Sequence, residues 1–200
     1  MFITFEGIDG SGKTLQLNKL YAYLLNNQIK VHKTSESKFS QSSWEREIFS
    51  VIINENLDSE SQIKLINVVR FEHLKIVKSY LDDGFIVLCD RFFHSTCAYQ
   101  GFLKNNSFDD IVETHNRDFH NFHPDLTFFI DTDPAVASQR MKNRQVLSAF
   151  DKFEISVVQK IKECYDLCSE KFDYFKKIDG NNNPDIVFDE LKKVFLKFYK

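Results

Sequence analysis

The chain begins with the stretch MFITFEGIDGSGKTLQ, residues 1–16, in which three of the six glycines of the molecule fall within six residues. Glycine weakens strands and helices and loses the most backbone freedom on folding, so Gly7, Gly10 and Gly12 need a geometric reason. β-forming residues at positions 2–5 precede the cluster, and helical periodicity begins at Lys13. The stretch therefore predicts a strand, a tight loop and a helix in direct succession.

The loop matches the pattern G-x-x-x-x-G-K-[ST] over residues 7–14. Its glycines allow successive backbone N–H groups to curl around phosphate oxygens, and the N-terminus of the following helix adds partial positive charge. Lys13 would reach the β- and γ-phosphates of a nucleotide, and Thr14 would offer its hydroxyl to Mg²⁺. A Gly-rich turn without a ligand would leave the Lys-Thr pair unexplained. The predicted ATP phosphate site consists of Gly7, Ile8, Asp9, Gly10, Ser11, Gly12, Lys13 and Thr14.

Composition favours one intracellular domain over residues 1–200. With 42% hydrophobic and 14% aromatic residues, the chain of 200 residues can bury one sizeable core. Its net charge of -3 does not favour binding to nucleic acid or to an anionic membrane. The first residues lack the charged and apolar regions of a signal peptide, and no run approaches the roughly 20 apolar residues of a membrane helix. We therefore expect a cytoplasmic protein without a nucleic-acid or membrane partner.

Short runs rich in β-forming residues alternate with longer segments of helical periodicity. The predicted strands lie at residues 2–5, around 31, at 85–89, 126–130 and 175–178. The predicted helices lie at residues 13–25, 42–53, 60–81, 109–119, 134–142, 153–171 and 184–198. This alternation predicts an α/β fold, a three-layer α/β/α sandwich with a five-stranded parallel sheet and helices on both faces.

The segment FIVLCDRFFHSTCAYQG, residues 85–101, carries a second set of charged groups. Asp90 follows a buried strand at the carboxyl edge of the sheet, where open α/β folds bind ligands. A carboxylate there can hold Mg²⁺ directly or through water, and Arg91 can form two hydrogen bonds to a phosphate. A structural Asp-Arg surface pair is the alternative, but the position after a buried strand favours a functional one.

Four motifs together resemble the thymidylate kinase family: FEGIDGSGKT, NVVRFEH, DRFFHSTCAYQG, and PDLTFFIDTDP followed by Arg140 and Arg144. They occur in this order over nearly the whole chain. The resemblance implies a P-loop NTPase fold and transfer of the ATP γ-phosphoryl group to dTMP, with Mg²⁺, by a homodimer. The helix at residues 60–82 has more apolar surface than one packed face needs, so we expect it to contact the second subunit.

The resemblance also implies roles for single residues. Asp9 would lie between donor and acceptor and contact the sugar hydroxyl of dTMP. Arg70 would donate to the thymine ring, Thr96 would contact the edge of the base, and Arg91 would bind the acceptor phosphate. The remaining residues of the expected dTMP pocket are Ile66, Tyr99 and Gln100.

A lid at residues 142–153 is expected to supply positive charge to the γ-phosphate. Gly10 stands where another subgroup of the family carries an arginine in the phosphate loop, so the cation should come from the segment RMKNRQVLSAFDKFE, residues 140–154. A solvated, charged helix end is the alternative for any single residue there. The candidates are Arg140, assigned to ATP, Arg144, assigned to catalysis, and also Lys142 and Lys152.

Three departures from the family pattern leave alternatives open: Leu15 replaces a hydroxyl residue, Ser35 replaces an arginine, and Ile66 replaces a phenylalanine. The chain could therefore act on another deoxynucleotide or a deoxynucleoside, or bind nucleotide with weakened catalysis. The enzyme is favoured because the residues that catalytic decay would affect first are present: Lys13, Asp90 and Arg91.

Overall fold

The computed structural model describes residues 1–36, 43–104, 106–142 and 154–199. The strands are β1 (Phe2–Glu6), β2 (Val31–Ser35), β3 (Ile86–Asp90), β4 (Leu126–Asp131) and β5 (Phe175–Asp179). The helices are α1 (Lys13–Asn26), α2 (Ser43–Asn54), α3 (Ser59–Asp82), α4 (Phe93–Thr96), α5 (Phe108–Asp118), α6 (Pro134–Lys142), α7 (Ile155–Lys171) and α8 (Pro184–Phe198). None of the helices in these ranges has the length and apolar character that a membrane crossing requires.

The five strands form one parallel sheet in the order β2-β3-β1-β4-β5, as the sequence predicts. β1 lies at the centre, and the chain first completes the β2 and β3 side before it crosses to β4 and β5. This reversal opens a crevice outside the carboxyl ends of the central strands, which is where such sheets bind ligands. The phosphate loop follows β1 and therefore lies at this crevice.

Helices cover both faces of the sheet, which confirms the three-layer architecture. One core lies between the sheet and helices α1 and α8, and the other lies between the sheet and helices that include α3 and α7. Side chains of β1 alternate between them, because successive residues of a strand point to opposite faces. Ile3 and Phe5 join the first core, and Phe2 joins the second. Glu6 is fully buried at the end of the same strand.

A compact helical segment follows β3 that the sequence patterns did not predict. After α4 the chain forms a π-helix, Cys97–Gly101, and then a 3-10 helix, Phe102–Lys104. A Cβ atom at Gly101 would lie 2.5 Å from Cδ1 of Ile111, so glycine allows α5 to pack closely here. These elements are too short for periodicity to detect, and π-helices frequently mark functional sites.

Three buried or half-buried histidines, His94, His115 and His123, pack among aromatic rings next to this segment. The ring of His115 stacks on Phe93 with a centroid distance of 3.9 Å, and its Nε2 pairs with the carbonyl oxygen of Phe122 at 2.9 Å. Burial, together with the charge of Arg70, lowers the pKa of His115 to about 3. His115 is therefore neutral in the native protein above this pH.

We expect His115 to make the fold sensitive to acid. In the unfolded chain a histidine has a pKa of about 6.5, so below this pH the unfolded state takes up a proton that the native state excludes. The resulting loss is about 2 kcal/mol of unfolding free energy at pH 5. In urea unfolding, the difference in unfolding free energy between pH 7.5 and pH 5 should be about 2 kcal/mol smaller in His115→Phe, which retains the stacked ring, than in the wild type.

The exposed His120 gives the control for this measurement, since His120→Asn should leave the pH dependence unchanged. His115→Phe also removes a hydrogen bond and lowers stability at both pH values, so the difference between them is the relevant quantity. An unchanged difference in His115→Phe would show that this ring does not cause the acid sensitivity.

Candidate active site

The phosphate loop packs directly on backbone atoms of β4 and α6. A Cβ atom at Gly7 would lie 2.8 Å from the carbonyl oxygen of Ile130, at the end of β4. A Cβ atom at Gly10 would lie 2.4 Å from the carbonyl oxygen of Ala137, on α6, and Gly10 has a φ of +82°. Only glycine fits both the space and the backbone conformation at these positions. An arginine at position 10 would therefore require α6 to shift.

The carboxylate of Asp9 joins the cation of the loop to the cation after β3. Its Oδ1 accepts hydrogen bonds from Arg91 Nη2 at 2.7 Å and from Lys13 Nζ at 3.4 Å. Its Oδ2 accepts one from the hydroxyl of Tyr99 at 3.4 Å. The Lys13 ammonium group also donates to the carbonyl oxygen of Ile8 at 3.3 Å. Residues from the first motif, FEGIDGSGKT, and from the third, DRFFHSTCAYQG, thus form one hydrogen-bonded group.

The charges in this group shift each other's pKa values. Burial by itself raises the pKa of Asp9, but the charges of Arg91 and Lys13 outweigh it and hold this pKa well below its usual range. Burial and the charge of Arg91 lower the pKa of Lys13, although Asp9 and Asp90 oppose this effect. An additional anion would therefore stabilise the charged forms of Lys13 and Arg91, and a phosphate group is such an anion.

Arg91 has an unusual backbone conformation and a well-defined set of partners. Its φ of +70° lies in the left-handed region, which is costly for a residue other than glycine and is often seen at functional sites. Nη1 donates to the carbonyl oxygen of Gly7 at 3.2 Å, to Ser95 Oγ at 3.0 Å and to the hydroxyl of Tyr165 at 3.0 Å. Ser95 Oγ in turn donates to Glu6 Oε2 at 2.7 Å. These contacts fix the guanidinium group relative to the sheet.

Three of the residues that hold Arg91 were not found by sequence reasoning: Glu6, Ser95 and Tyr165. Glu6 also accepts a hydrogen bond from the backbone N–H of Phe92 at 2.7 Å, so its position at the end of a buried strand was a usable signal. Tyr165 comes from α7, far along the chain, and its sequence context predicts only a helix. Only the packing of α7 against the sheet brings it to Arg91.

Thr14 and Asp90 form the predicted metal-binding pair. Thr14 Oγ1 donates to Asp90 Oδ2 at 2.5 Å, and Asp90 is the last residue of β3. Its other oxygen, Oδ1, is buried and has no hydrogen-bond partner among the described residues. Mg²⁺ usually binds one or two protein oxygen ligands together with water and substrate phosphates. A threonine hydroxyl and an orphaned carboxylate oxygen beside a phosphate loop fit this ion.

Arg70 and Thr96 belong to a second buried group. Arg70 is 2% exposed, and its Nη2 donates to Thr96 Oγ1 at 2.8 Å and to Glu36 Oε2 at 2.7 Å. Burial by itself raises the pKa of Glu36, but the charge and hydrogen bonds of Arg70, together with the nearby His73, lower it to about 2. Ile66 lies buried one helical turn before Arg70 on α3.

The other predicted site residues lie apart from these two groups or outside the described residues. Gln100 Nε2 donates to Gln62 Oε1 at 3.4 Å. Arg140 Nη1 donates to the carbonyl oxygens of Gly180 at 2.8 Å and Ser11 at 3.5 Å, so it links the phosphate loop to the loop before α8. Lys142 is the exposed last residue of α6. Outside the described residues lie Arg144, Lys152 and all of the lid after Lys142.

Comparison with known proteins decides the family. The family model described as thymidylate kinase matches residues 5–191. The chain belongs to the thymidylate kinase family. A thymidylate kinase of Rickettsia typhi is 35% identical over 196 residues, covering 96% of this chain and 95% of the relative. One of Thermosipho africanus is 34% identical over 200 residues, covering 98% of each chain.

Two of the departures from the thymidylate kinase pattern have structural consequences. Ser35 ends β2, and its Oγ donates to the backbone carbonyl oxygen of Asp90 at 3.1 Å. Leu15 is 46% exposed on the first turn of α1, so no packing requirement selects it. Both positions flank the group around Thr14 and Asp90, and neither removes a contact that holds Lys13 or Arg91.

Replacing Lys13 with alanine should remove most of the activity of the site. Its ammonium group is the loop cation of the Asp9 group, and positioned charge contributes most of the catalysis in phosphoryl transfer. We expect kcat to fall by roughly 100-fold or more in Lys13→Ala, measured by coupled ADP release. Lys19→Ala removes a lysine from the same helix outside the site and should retain near wild-type turnover. Near wild-type turnover in Lys13→Ala would contradict the assignment of the phosphate loop.

Proposed function

We propose that this chain is an ATP-dependent dTMP kinase that transfers the γ-phosphoryl group to dTMP and forms dTDP, a step toward dTTP. The observation that carries the proposal is the Asp9 carboxylate, which is hydrogen-bonded to both Lys13 and Arg91. One of these cations belongs to the donor loop, and the other lies beyond it in the crevice. A reaction that brings two phosphate groups together needs a cation for each of them.

The donor side consists of the phosphate loop and the start of α1. Backbone N–H groups of residues 7–14 would surround the phosphates of ATP, and Lys13 would neutralise the charge that develops between the β- and γ-phosphates. The link from Arg140 to Ser11 and Gly180 supports a role for Arg140 in shaping the ATP site. The intact groups around Lys13, Asp90 and Arg91 argue against a catalytically weakened nucleotide-binding protein.

The acceptor side lies beyond Asp9. Arg91 would bind the 5′-phosphate of dTMP and lessen its repulsion from ATP, so that a phosphate oxygen of dTMP can attack the γ-phosphorus while ADP leaves. Asp9 would contact the sugar hydroxyl, and Arg70 and Thr96 would contact the thymine ring. The pocket would be completed by Ile66, Tyr99 and Gln100.

Mg²⁺ is the proposed cofactor, held by Thr14 and by Asp90 directly or through water. When bound, it would offset the negative charge of the ATP phosphates. The chain's part is to present the two oxygens from fixed elements, since Thr14 lies in the first turn of α1 and Asp90 ends a buried strand.

We also propose that the lid contributes Arg144 to the γ-phosphate and that two copies associate through α3. The lack of space for a side chain at Gly10 supports a cation from outside the loop. On α3, Val68 and Phe71 are 53% and 54% exposed although other apolar residues of this helix are buried, which supports a contact with a second copy. The four cysteines are free and buried, which fits a reducing compartment such as the cytoplasm.

The proposed reaction is tested by coupled ADP release with ATP and Mg²⁺ and a series of acceptors: dTMP, dUMP, dCMP, dGMP and thymidine. We expect the highest kcat/KM with dTMP and little turnover with thymidine, since the site offers Arg91 for a phosphate that thymidine lacks. A preference for thymidine would indicate a deoxynucleoside kinase. ADP release without any acceptor preference would contradict the proposed acceptor pocket.

Changing each acceptor-site arginine to lysine keeps the positive charge but loses the planar guanidinium group. The two substitutions should change kcat/KM for the series of monophosphates in different ways. Arg91→Lys should lower kcat/KM for all monophosphates alike, by about tenfold, because it weakens contacts to the phosphate. Arg70→Lys should lower kcat/KM for dTMP more than for dCMP, because it weakens a contact to the base. If Arg91→Lys changed the base preference and Arg70→Lys did not, the two assignments would be reversed.

A further inference from the structure

We propose that Glu36 is the positioning residue for Arg70: it fixes the guanidinium group so that one N–H faces the base, and it thereby sets the preference of the enzyme among pyrimidine nucleotides. The inference rests on the proposed acceptor site and assigns to Glu36 a role that acts through Arg70. Its starting point is the buried pair of these two residues, 5% and 2% exposed.

Glu36 accepts hydrogen bonds along one edge of the guanidinium group of Arg70. Nε donates to Oε1 at 2.9 Å and to Oε2 at 3.1 Å, and Nη2 donates to Oε2 at 2.7 Å. Two parallel hydrogen bonds between planar groups fix both the plane and the direction of the guanidinium. Glu36 itself follows β2 directly, and its backbone N–H donates to the carbonyl oxygen of Asp90 at 3.1 Å. The sheet therefore determines the orientation of Arg70.

The contacts that Arg70 makes with the described residues leave one of its donors for a ligand. A guanidinium group has five N–H donors. The single hydrogen on Nε and one on Nη2 go to Glu36, the second on Nη2 goes to Thr96 at 2.8 Å, and one on Nη1 goes to Asn67 Oδ1 at 3.1 Å. The remaining hydrogen, on Nη1, has no acceptor among the described residues. Its direction is set by the bonds that hold the other four.

The Arg70–Glu36 pair has no net charge, so its one remaining donor would distinguish pyrimidine bases by whether they can accept a hydrogen bond. A carbonyl oxygen, as in thymine or uracil, can accept from the free N–H of Arg70, whereas the exocyclic amino group of cytosine is itself a donor. A buried site built to donate rejects a partner that cannot accept, because its own polar group is then left unpaired. Without Glu36 the guanidinium group could rotate and present other donors, and the discrimination would weaken.

A second contact of Glu36 is with His73, which in turn pairs with Thr34, and Thr34 provides a control variant. His73 Nδ1 lies 3.7 Å from Glu36 Oε1, and His73 Nε2 pairs with Thr34 Oγ1 at 2.8 Å. Thr34→Val disturbs this part of the network without touching Arg70. If general packing around Glu36 determined the base preference, Thr34→Val would alter it as well.

The test compares Glu36→Gln with Thr34→Val, using kcat and KM for dTMP and dCMP at saturating ATP and fixed Mg²⁺. Glutamine keeps the shape of the side chain but replaces one carboxylate oxygen, an acceptor, by an amide NH2 group, which is a donor. We expect kcat/KM for dTMP to fall about tenfold, mainly through KM, and the preference for dTMP over dCMP to fall about fivefold. Thr34→Val should stay within about twofold of wild type in both quantities.

Glu36→Asp keeps the charge and serves where Glu36→Gln does not fold. With one methylene less, its carboxylate cannot hold both Nε and Nη2, so we expect a smaller loss of preference in the same direction. Circular dichroism melting of each variant identifies those that are folded at the assay temperature.

A double-variant cycle separates the inference from the proposed function. In an Arg70→Lys background, Glu36→Gln should change the base preference by less than about twofold, because its effect passes through Arg70. If Arg70→Lys alters the preference but Glu36→Gln and Glu36→Asp leave it at the wild-type value, the inference is overturned and the acceptor site stands. If Arg70→Lys leaves the preference unchanged, the assignment of Arg70 to the base fails first.

Discussion

The carboxylate of Asp9 holds two cations close together that otherwise repel each other. Arg91 and Lys13 both donate to the same oxygen, Oδ1. Without this anion the two side chains would separate, because like charges in a buried site destabilise one another. The proposed donor and acceptor phosphates meet where these cations meet. The geometry of the proposed reaction centre thus depends on one short side chain, in a loop that packs closely on β4 and α6.

The elements around this loop reinforce its position from several directions. Gly7 and Gly10 pack on the backbones of β4 and α6. Behind Arg91, Glu6 and Ser95 connect the guanidinium group to β1 and α4, and Tyr165 connects it to α7. Preorganised charge is the main means by which a protein accelerates phosphoryl transfer, and preorganisation requires such rigid support.

Local sequence patterns were sufficient for the fold and for the motifs, and insufficient for the contacts between distant elements. The alternation of strand and helix patterns predicted the parallel sheet, and the loop pattern placed Lys13 and Thr14 correctly at the start of α1. The helical segment from α4 to the 3-10 helix was missed because its elements are too short to show periodicity. The Tyr165 contact and the pairing of Arg70 with Glu36 were missed because they join residues that only tertiary packing brings together.

Asp90 and Arg91 are neighbours in the chain, yet their side chains contact helices on opposite faces of the sheet. Asp90 contacts Thr14 on α1, and Arg91 contacts Tyr165 on α7. Asp90 is the last residue of β3, and the backbone leaves the strand at Arg91, whose φ is +70°, so the change of direction between the two side chains occurs at this point. Because the two residues are adjacent, their Cα atoms stay about 3.8 Å apart however the two helical layers pack. The backbone therefore fixes where the proposed metal ligand and the proposed phosphate-binding cation are attached, and the helices on the two faces of the sheet fix where their charged groups lie.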